Sequence, residues 1–171
     1  MRKYPITHAD MVEFPPLSRL EKRLAGNHDG LLTSVDMPSG SLQALAVHFE
    51  VRDESTRVGC RDQVSSIAKE FGIPFLVLGD FNSTPSGYSG HQSDAEGRNA
   101  IDHLLRSGHF PAGQVPPPDS GYLTFPSAGP DRAIDWILAT GDCELRNHRV
   151  ISADLSDYLM VVADVVVNRH R

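Results

Sequence analysis

The sequence is poor in cysteine and has no long apolar run. Its two cysteines, Cys60 and Cys143, share neither the spacing of a metal site nor that of a redox pair. Cys60 precedes Val64 and Ala68 at helical intervals, which predicts a core thiol. No stretch approaches the roughly 18 consecutive apolar residues of a transmembrane helix, and no signal peptide is visible. We therefore expect a soluble chain, and a cytoplasmic one if Met1 is the true start.

Positive charge is also scarce, because 16 lysine and arginine residues stand against 22 acidic ones, for a formal net charge of −6. Broad binding to nucleic acid needs lysine and arginine to neutralise phosphates. This balance disfavours such binding, although a nucleic acid stays among the candidate substrates. Arg52, Arg57 and Arg61 form a local basic cluster, and Arg132 lies further along the chain. We interpret these arginines as solvated, since exposure is the default for arginine.

A length of 171 residues predicts one domain, residues 1–171, without internal repeats or linkers. Alternating strands and amphipathic helices together indicate a layered α/β domain. Apolar spacing and turn signals predict a short helix opened by a capping box at 18–21, a hairpin of 31–37 with 42–51, a helix over 57–71, a buried strand over 75–78, a helix opened by a second capping box at 93–96, and strands over 133–139, 144–151 and 159–167.

Two long loops separate these predicted elements. Residues 83–90 are rich in serine, glycine, proline and tyrosine, and residues 112–121 are rich in proline. Long loops in a compact domain are often either functional or disordered, and the sequence does not decide between the two. We expect both loops at the mouth of a site formed by strand ends.

The most informative motif is Gly-Asp-Phe-Asn at residues 79–82, which directly follows the predicted buried strand. Side chains two residues apart point the same way on an extended chain, so we expect Asp80 and Asn82 to converge on one small polar ligand. An aspartate can hold or deprotonate a water molecule, and an asparagine can donate to a phosphate oxygen. A strand that merely ends in an Asp/Asn turn explains these four residues equally well.

Three further segments carry polar side chains at predicted strand ends. His48 lies near the end of an alternating strand, Asp135 lies within the apolar run Ile-Asp-Trp-Ile, and Ser-Asp-Tyr at 156–158 precedes the last strand. An aspartate within an apolar strand needs a partner. His48 alone suits a partly buried structural histidine, and Asp157 alone suits a turn. Together these segments predict that five side chains converge at one end of the sheets: His48, Asp80, Asn82, Asp135 and Asp157.

The chain resembles the endonuclease/exonuclease/phosphatase superfamily of Mg²⁺-dependent phosphodiesterases and phosphatases. The resemblance lies in the order of four motifs: the histidine strand, Gly-Asp-Phe-Asn, Ile-Asp-Trp-Ile and Ser-Asp. Arg-Asp-Gln at 61–63 and Thr-Phe-Pro-Ser at 124–127 are also similar to that family, and the resemblance covers about residues 4–167. Each motif alone is weak, whereas the ordered set is specific. The resemblance implies an α/β (α+β) fold, the four-layer αββα sandwich with two face-to-face sheets and helices outside.

The resemblance also implies roles for the polar residues. Asp80 would orient or deprotonate the attacking water and contribute to metal binding, Asn82 would hold a phosphate oxygen, and His48 would contact the phosphate. Asp157 would bind Mg²⁺, or Mn²⁺ in its place, because hard ions prefer carboxylate oxygen. Asp135 would orient the histidine of a Ser-Asp-His motif, as the carboxylate does in a Ser-His-Asp arrangement.

The sequence departs from the family in two places. Family members begin with a strand bearing an asparagine and continue to a strand bearing a metal-binding glutamate. Nothing before His48 matches those segments, so we expect a sandwich that is incomplete at its N-terminus. The Ser-Asp-His motif reads Ser-Asp-Tyr, with Tyr158 in the place of the general acid/base.

The tyrosine limits the expected activity. Its reference pKa is about 10, against about 6.5 for histidine, so Tyr158 is a poor base near pH 7 and would offer Asp135 at most one neutral hydrogen bond. Loss of a general acid/base costs about 10²–10⁴-fold in rate. We therefore expect a weak metal-dependent phosphoesterase.

Other functions stay open at this point. Tyr158 and the unmatched N-terminal segments favour a binding or regulatory module that kept the fold and lost catalysis. A gene fragment is a third interpretation. The enzyme is favoured by the retained Asp80, Asn82, Asp135 and Asp157. Nucleic acid, a phospholipid head group, an inositol phosphate and a small diester all fit as substrates, and the sequence sets no oligomeric state.

Overall fold

The structure, a computed structural model, describes residues 4–15, 23, 28–71, 74–111, 115–152 and 155–168. Its fold is mixed α+β, as the sequence pattern predicted. The strands are β1 (Ile6–Glu13), β2 (Asp29–Met37), β3 (Gly40–His48), β4 (Phe75–Asp80), β5 (Asp135–Ala139), β6 (Cys143–Ile151) and β7 (Met160–Val167). The helices are α1 (Glu54–Phe71) and α2 (Ala100–Arg106), with a short 3-10 helix at Pro118–Ser120.

A five-stranded sheet in the order β1-β2-β3-β4-β5 forms the centre of the fold. The predicted hairpin is present, because β2 and β3 run antiparallel with Met37 opposite Gly40. β3 and β4 are parallel and are connected through α1, since a parallel pair needs a crossover. β5 returns antiparallel to β4. The ends of β3 and β4 therefore meet the start of β5 at one edge of the sheet.

Alternation of side chains gives this sheet two packed faces. On one face, Leu45 and Val77 share a core cluster with Cys60 and Val64 of α1, and all four are fully buried. The prediction of a core thiol is therefore confirmed. On the other face, Leu76 packs with residues of a two-stranded sheet formed by β6 and β7. The described residues thus build three consecutive layers of the sandwich: helices, five-stranded sheet and two-stranded sheet.

The start of α2 differs from the sequence-based expectation. Residues 93–96 do not open the helix but form a turn, in which the Asp94 carboxylate accepts a hydrogen bond from the Arg98 N–H at 2.7 Å. α2 begins at Ala100, and the Asn99 side chain caps it. Ser93, the capping residue of this pattern, pairs its hydroxyl with His91 Nε2 at 3.1 Å instead of with a helix terminus, so the capping-box pattern was wrong here.

The other predicted elements are present with shifted ends. α1 begins at Glu54, three residues before the apolar pattern, and β5 begins at Asp135, two residues after it. The helix predicted from residues 18–21 lies outside the described residues, except for the helical Arg23. Residues 112–114 of the proline-rich loop also lie outside them. No helix in the described ranges is both long and apolar enough to cross a membrane.

Candidate active site

Three of the sequence-predicted site residues occupy neighbouring positions across the sheet. His48 ends β3, Asp80 ends β4 and Asp135 begins β5. The strand registers pair His48 with Asp80 and Asp80 with Asp135. Because neighbouring strands lie about 4.8 Å apart, these side chains form one row at the edge of the five-stranded sheet. We call His48, Asp80 and Asp135 the polar row.

A close approach of two strands explains the glycine of Gly-Asp-Phe-Asn. Gly79 has a backbone φ of +134°, which L side chains rarely adopt. A Cβ atom at this position would overlap the Val47 carbonyl oxygen of the neighbouring strand. The glycine therefore lets β4 approach β3 closely enough to place Asp80 beside His48.

A turn, rather than an extended strand, brings Asn82 back to Asp80, which corrects the expectation from residue spacing. Asn82 has a φ of +46°, and its N–H donates to Asp80 Oδ1 at 2.7 Å. Its side-chain Nδ2 donates to the Phe49 carbonyl oxygen at 2.9 Å. That bond uses one amide hydrogen, so the second hydrogen is what Asn82 can offer a ligand.

The Asp80 carboxylate lies between a histidine and a phenol. His48 Nε2 is 3.8 Å from Asp80 Oδ2, and the side chains are 60% and 13% exposed, respectively. The Tyr158 hydroxyl lies near enough to the same carboxylate to interact with it. Burial raises the pKa of Asp80, while the Asn82 N–H, His48 and the Tyr158 hydroxyl oppose the rise. Asp80 is therefore a stronger base than an exposed aspartate.

Hydrogen bonds fix the main chain of Asp135, but one oxygen of its carboxylate accepts no hydrogen bond from the described residues. The Tyr122 hydroxyl donates to the Asp135 carbonyl oxygen at 3.1 Å, and the Asp135 N–H donates to Thr124 Oγ1 at 3.3 Å. Its buried Oδ2 has no hydrogen-bond partner among the described residues. Burial raises the pKa of Asp135 to about 7, with the charge of Asp80 adding to the rise and the Thr124 hydroxyl opposing it.

The Ser-Asp-Tyr segment is fastened to the segment that precedes β5. The Ser127 N–H donates to the Asp157 carbonyl oxygen at 2.7 Å, and the Leu159 N–H donates to the Thr124 carbonyl oxygen at 2.8 Å. The Asp157 residue is exposed. These bonds explain how Thr-Phe-Pro-Ser, remote in sequence, fixes the position of residues 156–158.

Tyr158 reaches the polar row from this segment. Burial raises the pKa of Tyr158 to about 12, and the negative charges of Asp80, Asp135 and Asp157 add to the rise. The phenol is therefore neutral near pH 7. Its hydroxyl interacts with Asp80, whereas we expected it to pair with Asp135.

A buried ion network, which sequence reasoning missed, supports the strand ends. Arg57 was interpreted as solvated, yet it is 1% exposed and donates to Glu54 Oε2 at 2.8 Å and to the Glu50 carbonyl oxygen at 3.0 Å. Glu54 Oε1 accepts from Ser83 Oγ at 2.8 Å and from the Ala100 N–H at 2.7 Å. The network joins the segments after β3 and β4 to both helices. The Glu54–Arg57 spacing of three residues on a helix was the available signal.

The donor atoms match Mg²⁺ in kind but not in number. Asp80 and Asp157 offer the carboxylate oxygens that this ion prefers. Within the described ranges, no group of three or more histidine, cysteine, aspartate and glutamate side chains is placed to hold a metal ion. The two aspartates fit Mg²⁺ if water and substrate oxygens complete its shell, as is common for this ion.

Sequence comparison identifies a family for most of the chain. The model of the "Endonuclease/Exonuclease/phosphatase family" matches residues 3–157. The matched interval includes the whole polar row, Asn82 and Asp157, and it ends one residue before Tyr158. No curated protein sequence matches the chain significantly.

Solved structures share the fold at low sequence identity. An endonuclease/exonuclease/phosphatase from Beutenbergia cavernae DSM 12333 aligns with a TM-score of 0.70 and 20% identity, covering 96% of this chain and 46% of that one. A mannosyl-6-phosphatase from Bacteroides thetaiotaomicron VPI-5482 aligns with a TM-score of 0.66 and 15% identity over 96% and 67%. A Staphylococcus aureus beta toxin variant with bound magnesium ions aligns with a TM-score of 0.60 and 14% identity over 94% and 65%. The chain spans about half to two-thirds of these proteins.

Proposed function

Because the chain belongs to the endonuclease/exonuclease/phosphatase family, whose members are hydrolases, we propose that it hydrolyses a phosphate ester or phosphodiester with the help of Mg²⁺ or Mn²⁺. The observation that carries the proposal is the polar row, in which His48, Asp80 and Asp135 stand in register across three strands. Phosphate-ester hydrolysis is among the slowest reactions in water, and it needs a base, phosphate donors and charge stabilisation in one place.

The polar row and Asn82 supply the first two of these. His48 is the most exposed member of the row, and in this proposal it donates a hydrogen bond to a non-bridging phosphate oxygen. Asn82 donates its second amide hydrogen to another such oxygen. Asp80 accepts a proton from the attacking water, a role that suits a carboxylate whose pKa is raised by burial. The proton then rests on Asp80 next to the Tyr158 hydroxyl.

In this proposal two carboxylates bind the metal ion. Asp157 and Asp80 would hold the ion, which when bound supplies Lewis-acid polarisation of a phosphoryl oxygen. The bound magnesium in the beta toxin structure supports the choice of ion. The absence of a three-ligand group in the described residues makes weak binding the expected result.

Tyr158 makes the proposed activity slow. A neutral phenol donates a hydrogen bond to an anionic oxygen, but it supplies neither a cation nor a proton acceptor near pH 7. A general acid/base raises the rate about 10²–10⁴-fold, and a chain with Tyr158 at this position lacks that rate enhancement.

The test is hydrolysis of p-nitrophenyl phosphate and bis(p-nitrophenyl) phosphate with MgCl₂, MnCl₂ or EDTA. We expect metal-dependent release of p-nitrophenolate, lowered about 10²-fold or more by Asp80→Asn. Asp36→Asn is the matched control, because it removes the same charge from an exposed aspartate at the β2–β3 turn. No hydrolysis of either ester with either metal, or equal rates for Asp80→Asn and the parent, overturns the proposal.

A second candidate function is phosphate binding without turnover. Two observations favour it: the Tyr158 hydroxyl lies near Asp80, and no three-ligand group lies in the described ranges. Calorimetry with p-nitrophenyl phosphate discriminates the two. Binding that is lost in His48→Ala, without any product on prolonged incubation, indicates a binding module.

A further inference from the structure

Tyr158, Phe125 and Arg132 form a continuous series of contacts that begins beside the polar row, and we infer from it that the substrate carries a second phosphate group, which Arg132 binds. We call these three residues the arginine wall. The inference rests on the proposed function, because it takes the first phosphate to lie at Asp80 and His48.

The arginine wall has a defined geometry. The Tyr158 hydroxyl lies near the Asp80 carboxylate, and the Tyr158 ring lies 4.7 Å from the Phe125 ring between centroids. The Arg132 guanidinium carbon lies 4.8 Å from the centroid of the Phe125 ring. Two successive ring contacts therefore separate the guanidinium from the residue that touches Asp80. We take this separation to be one that two anionic groups of the same small molecule can span.

The Arg132 side chain is positioned in advance of any ligand. Phe125 and Arg132 form an isolated β-bridge, with N–H to carbonyl distances of 3.1 and 3.0 Å. The guanidinium then lies over the ring in a cation–π contact. A ligand that binds a preorganised side chain loses less entropy on ordering it.

The loop over residues 83–90 closes on the same arginine. Gly90 has a φ of +81°, and a Cβ atom built there would lie 2.9 Å from Arg132 Cγ. The loop backbone thus touches the stem of Arg132 and leaves its guanidinium toward solvent. This contact gives the loop, whose role the sequence did not decide, a place beside the proposed second phosphate.

The guanidinium keeps donors for a ligand. The Arg132 side chain is 48% exposed, and its Nε donates to Asp131 Oδ1 at 3.2 Å, with Asp131 68% exposed. An exposed pair of this kind is weak and uses one of five N–H donors. The planar fork of an arginine matches a phosphate group bidentately, which a lysine does not.

The overall charge favours a compact ligand over a long polyanion. The chain carries a formal charge of −6, and extended nucleic acid needs many cations for affinity. One oriented arginine next to a phosphate site suits a bisphosphate, in which both anionic groups are bound at the same time. A single such contact is worth about 1.5–3 kcal/mol, or roughly tenfold and more in affinity.

The test compares binding of thymidine 3′,5′-bisphosphate and thymidine 5′-monophosphate by calorimetry in the presence of MgCl₂. We expect the parent to bind the bisphosphate about tenfold more tightly, and Arg132→Gln to bind both nucleotides equally. Arg132→Lys should keep part of the difference. Arg146→Gln is the matched control, because Arg146 is also an exposed arginine paired with an acidic neighbour, and it lies well along β6 from the Tyr158 end.

Equal affinities in the parent, no binding of either nucleotide, or a preference that survives in Arg132→Gln overturns the inference. Hydrolysis is measured separately on the p-nitrophenyl esters of the same two nucleotides. Tighter binding of the bisphosphate without hydrolysis of either ester contradicts the proposed function but supports the Arg132 site. Hydrolysis with equal binding of the two nucleotides supports the proposed function and contradicts the Arg132 site. A short oligothymidylate serves as a third ligand. If Arg132→Gln weakens binding of the oligothymidylate as much as binding of the bisphosphate, the second phosphate belongs to a nucleic-acid strand. If binding of the oligothymidylate is unchanged, the second phosphate belongs to a small molecule.

Discussion

Asp135 has a buried carboxylate oxygen that accepts no hydrogen bond from the described residues, and the Tyr158 hydroxyl lies near Asp80 instead. A carboxylate that is desolvated and unpaired favours its protonated form, which is why the pKa of Asp135 rises to about 7. Side chain 158 therefore controls the pairing of two acids. The two residue-scale predictions concern this pairing.

Replacing the phenol by an imidazole should raise phosphodiesterase activity. In Tyr158→His, we expect Asp135 to accept a hydrogen bond from the ring, fix its tautomer and stabilise its cationic form, with a gain of about 10²-fold. The measurement is hydrolysis of bis(p-nitrophenyl) phosphate with MgCl₂. The double variant Tyr158→His, Asp135→Asn should lose the gain. A single variant no faster than the parent, or a double variant as fast as the single, would show that residue 158 is not at the catalytic position.

Asp135 should make the chain less stable as pH rises. The pKa of Asp135 is about 7 in the folded state against 3.8 as the ordinary value, so between these values the folded state binds more protons than the unfolded state. The free energy of unfolding therefore falls from about pH 4 to about pH 7. Full burial would make the fall about 4 kcal/mol, and partial solvent screening reduces it to about 2.

Urea unfolding across this pH range measures the effect. Asp135→Asn should abolish the fall and be the more stable protein above about pH 7. Asp131→Asn, at an exposed aspartate, should keep the fall. The prediction is wrong if the Asp135→Asn and parent curves run parallel.

At the scale of elements, the site depends on how closely β4 approaches β3. Gly79 has a positive φ and faces the Val47 carbonyl group, and it is immediately followed by Asp80. Behind the same strand ends, Arg57 and Glu54 form a buried ion pair, with 1% and 4% of their side chains exposed. The glycine removes an obstacle to the approach, and the ion pair fixes the segments that leave the strands.

Gly79→Ala should disrupt the pairing of β3 and β4, because the added methyl group would overlap backbone that cannot move aside. We expect a loss of more than about 3 kcal/mol in the free energy of unfolding, as for other severe overpacking and strain. Gly97→Ala is the matched control, since Gly97 also has a positive φ, +75°, but no atom within 4 Å of its Cβ position. It should cost about 1 kcal/mol. Equal losses for the two variants would contradict the clash.

Breaking the buried ion pair should cost more than breaking an exposed one. Arg57→Met leaves Glu54 charged and buried, and we expect a loss of about 3–5 kcal/mol in urea unfolding. Arg146→Met removes an arginine from an exposed pair with Glu144 and should cost below about 1 kcal/mol. Adding Glu54→Gln to Arg57→Met should recover part of the loss. A loss for Arg57→Met as small as that for Arg146→Met would show that the pair is not desolvated.

At the scale of the whole molecule, the sandwich brings residues from four separate segments to one edge. β3, β4 and β5 supply the polar row, the turn after β4 supplies Asn82, and the segment before β7 supplies Asp157 and Tyr158. The acids in this set give the edge negative charge, in a chain that is already negative. In the proposed function a divalent cation binds at this edge, although the described residues contain no group of three or more side chains placed to hold it.

Mg²⁺ should therefore bind weakly and through Asp157. Calorimetry should give a dissociation constant near the millimolar range, because one or two carboxylates leave the ion mostly hydrated. Asp157→Ala should bind more weakly than the parent, and Asp131→Ala, with the same change of charge at an exposed aspartate, should bind as the parent does. Equal binding by the parent and Asp157→Ala would contradict the assignment of Asp157.

The sequence by itself determined the mixed α+β fold and the strands on which His48, Asp80 and Asp135 lie. Alternation in β2 and β3 and the apolar run of β4 determine strands because one pattern satisfies both backbone pairing and burial. His48, Asp80 and Asp135 could be placed at strand ends for the same reason. The capping-box pattern at 93–96 misled, because the Ser93 hydroxyl can pair with a nearby side chain as well as with a helix terminus.

The tertiary structure alone decided which of these residues meet. The register of β3, β4 and β5 aligns His48, Asp80 and Asp135, and a sequence pattern carries no register between strands that are far apart in the chain. The burial of Arg57 and the choice of Asp80 over Asp135 by Tyr158 depend on desolvation and on contacts across the fold. Such contacts are long-range, whereas a sequence motif reports local preference, and that is the physical reason why only the folded chain decided them.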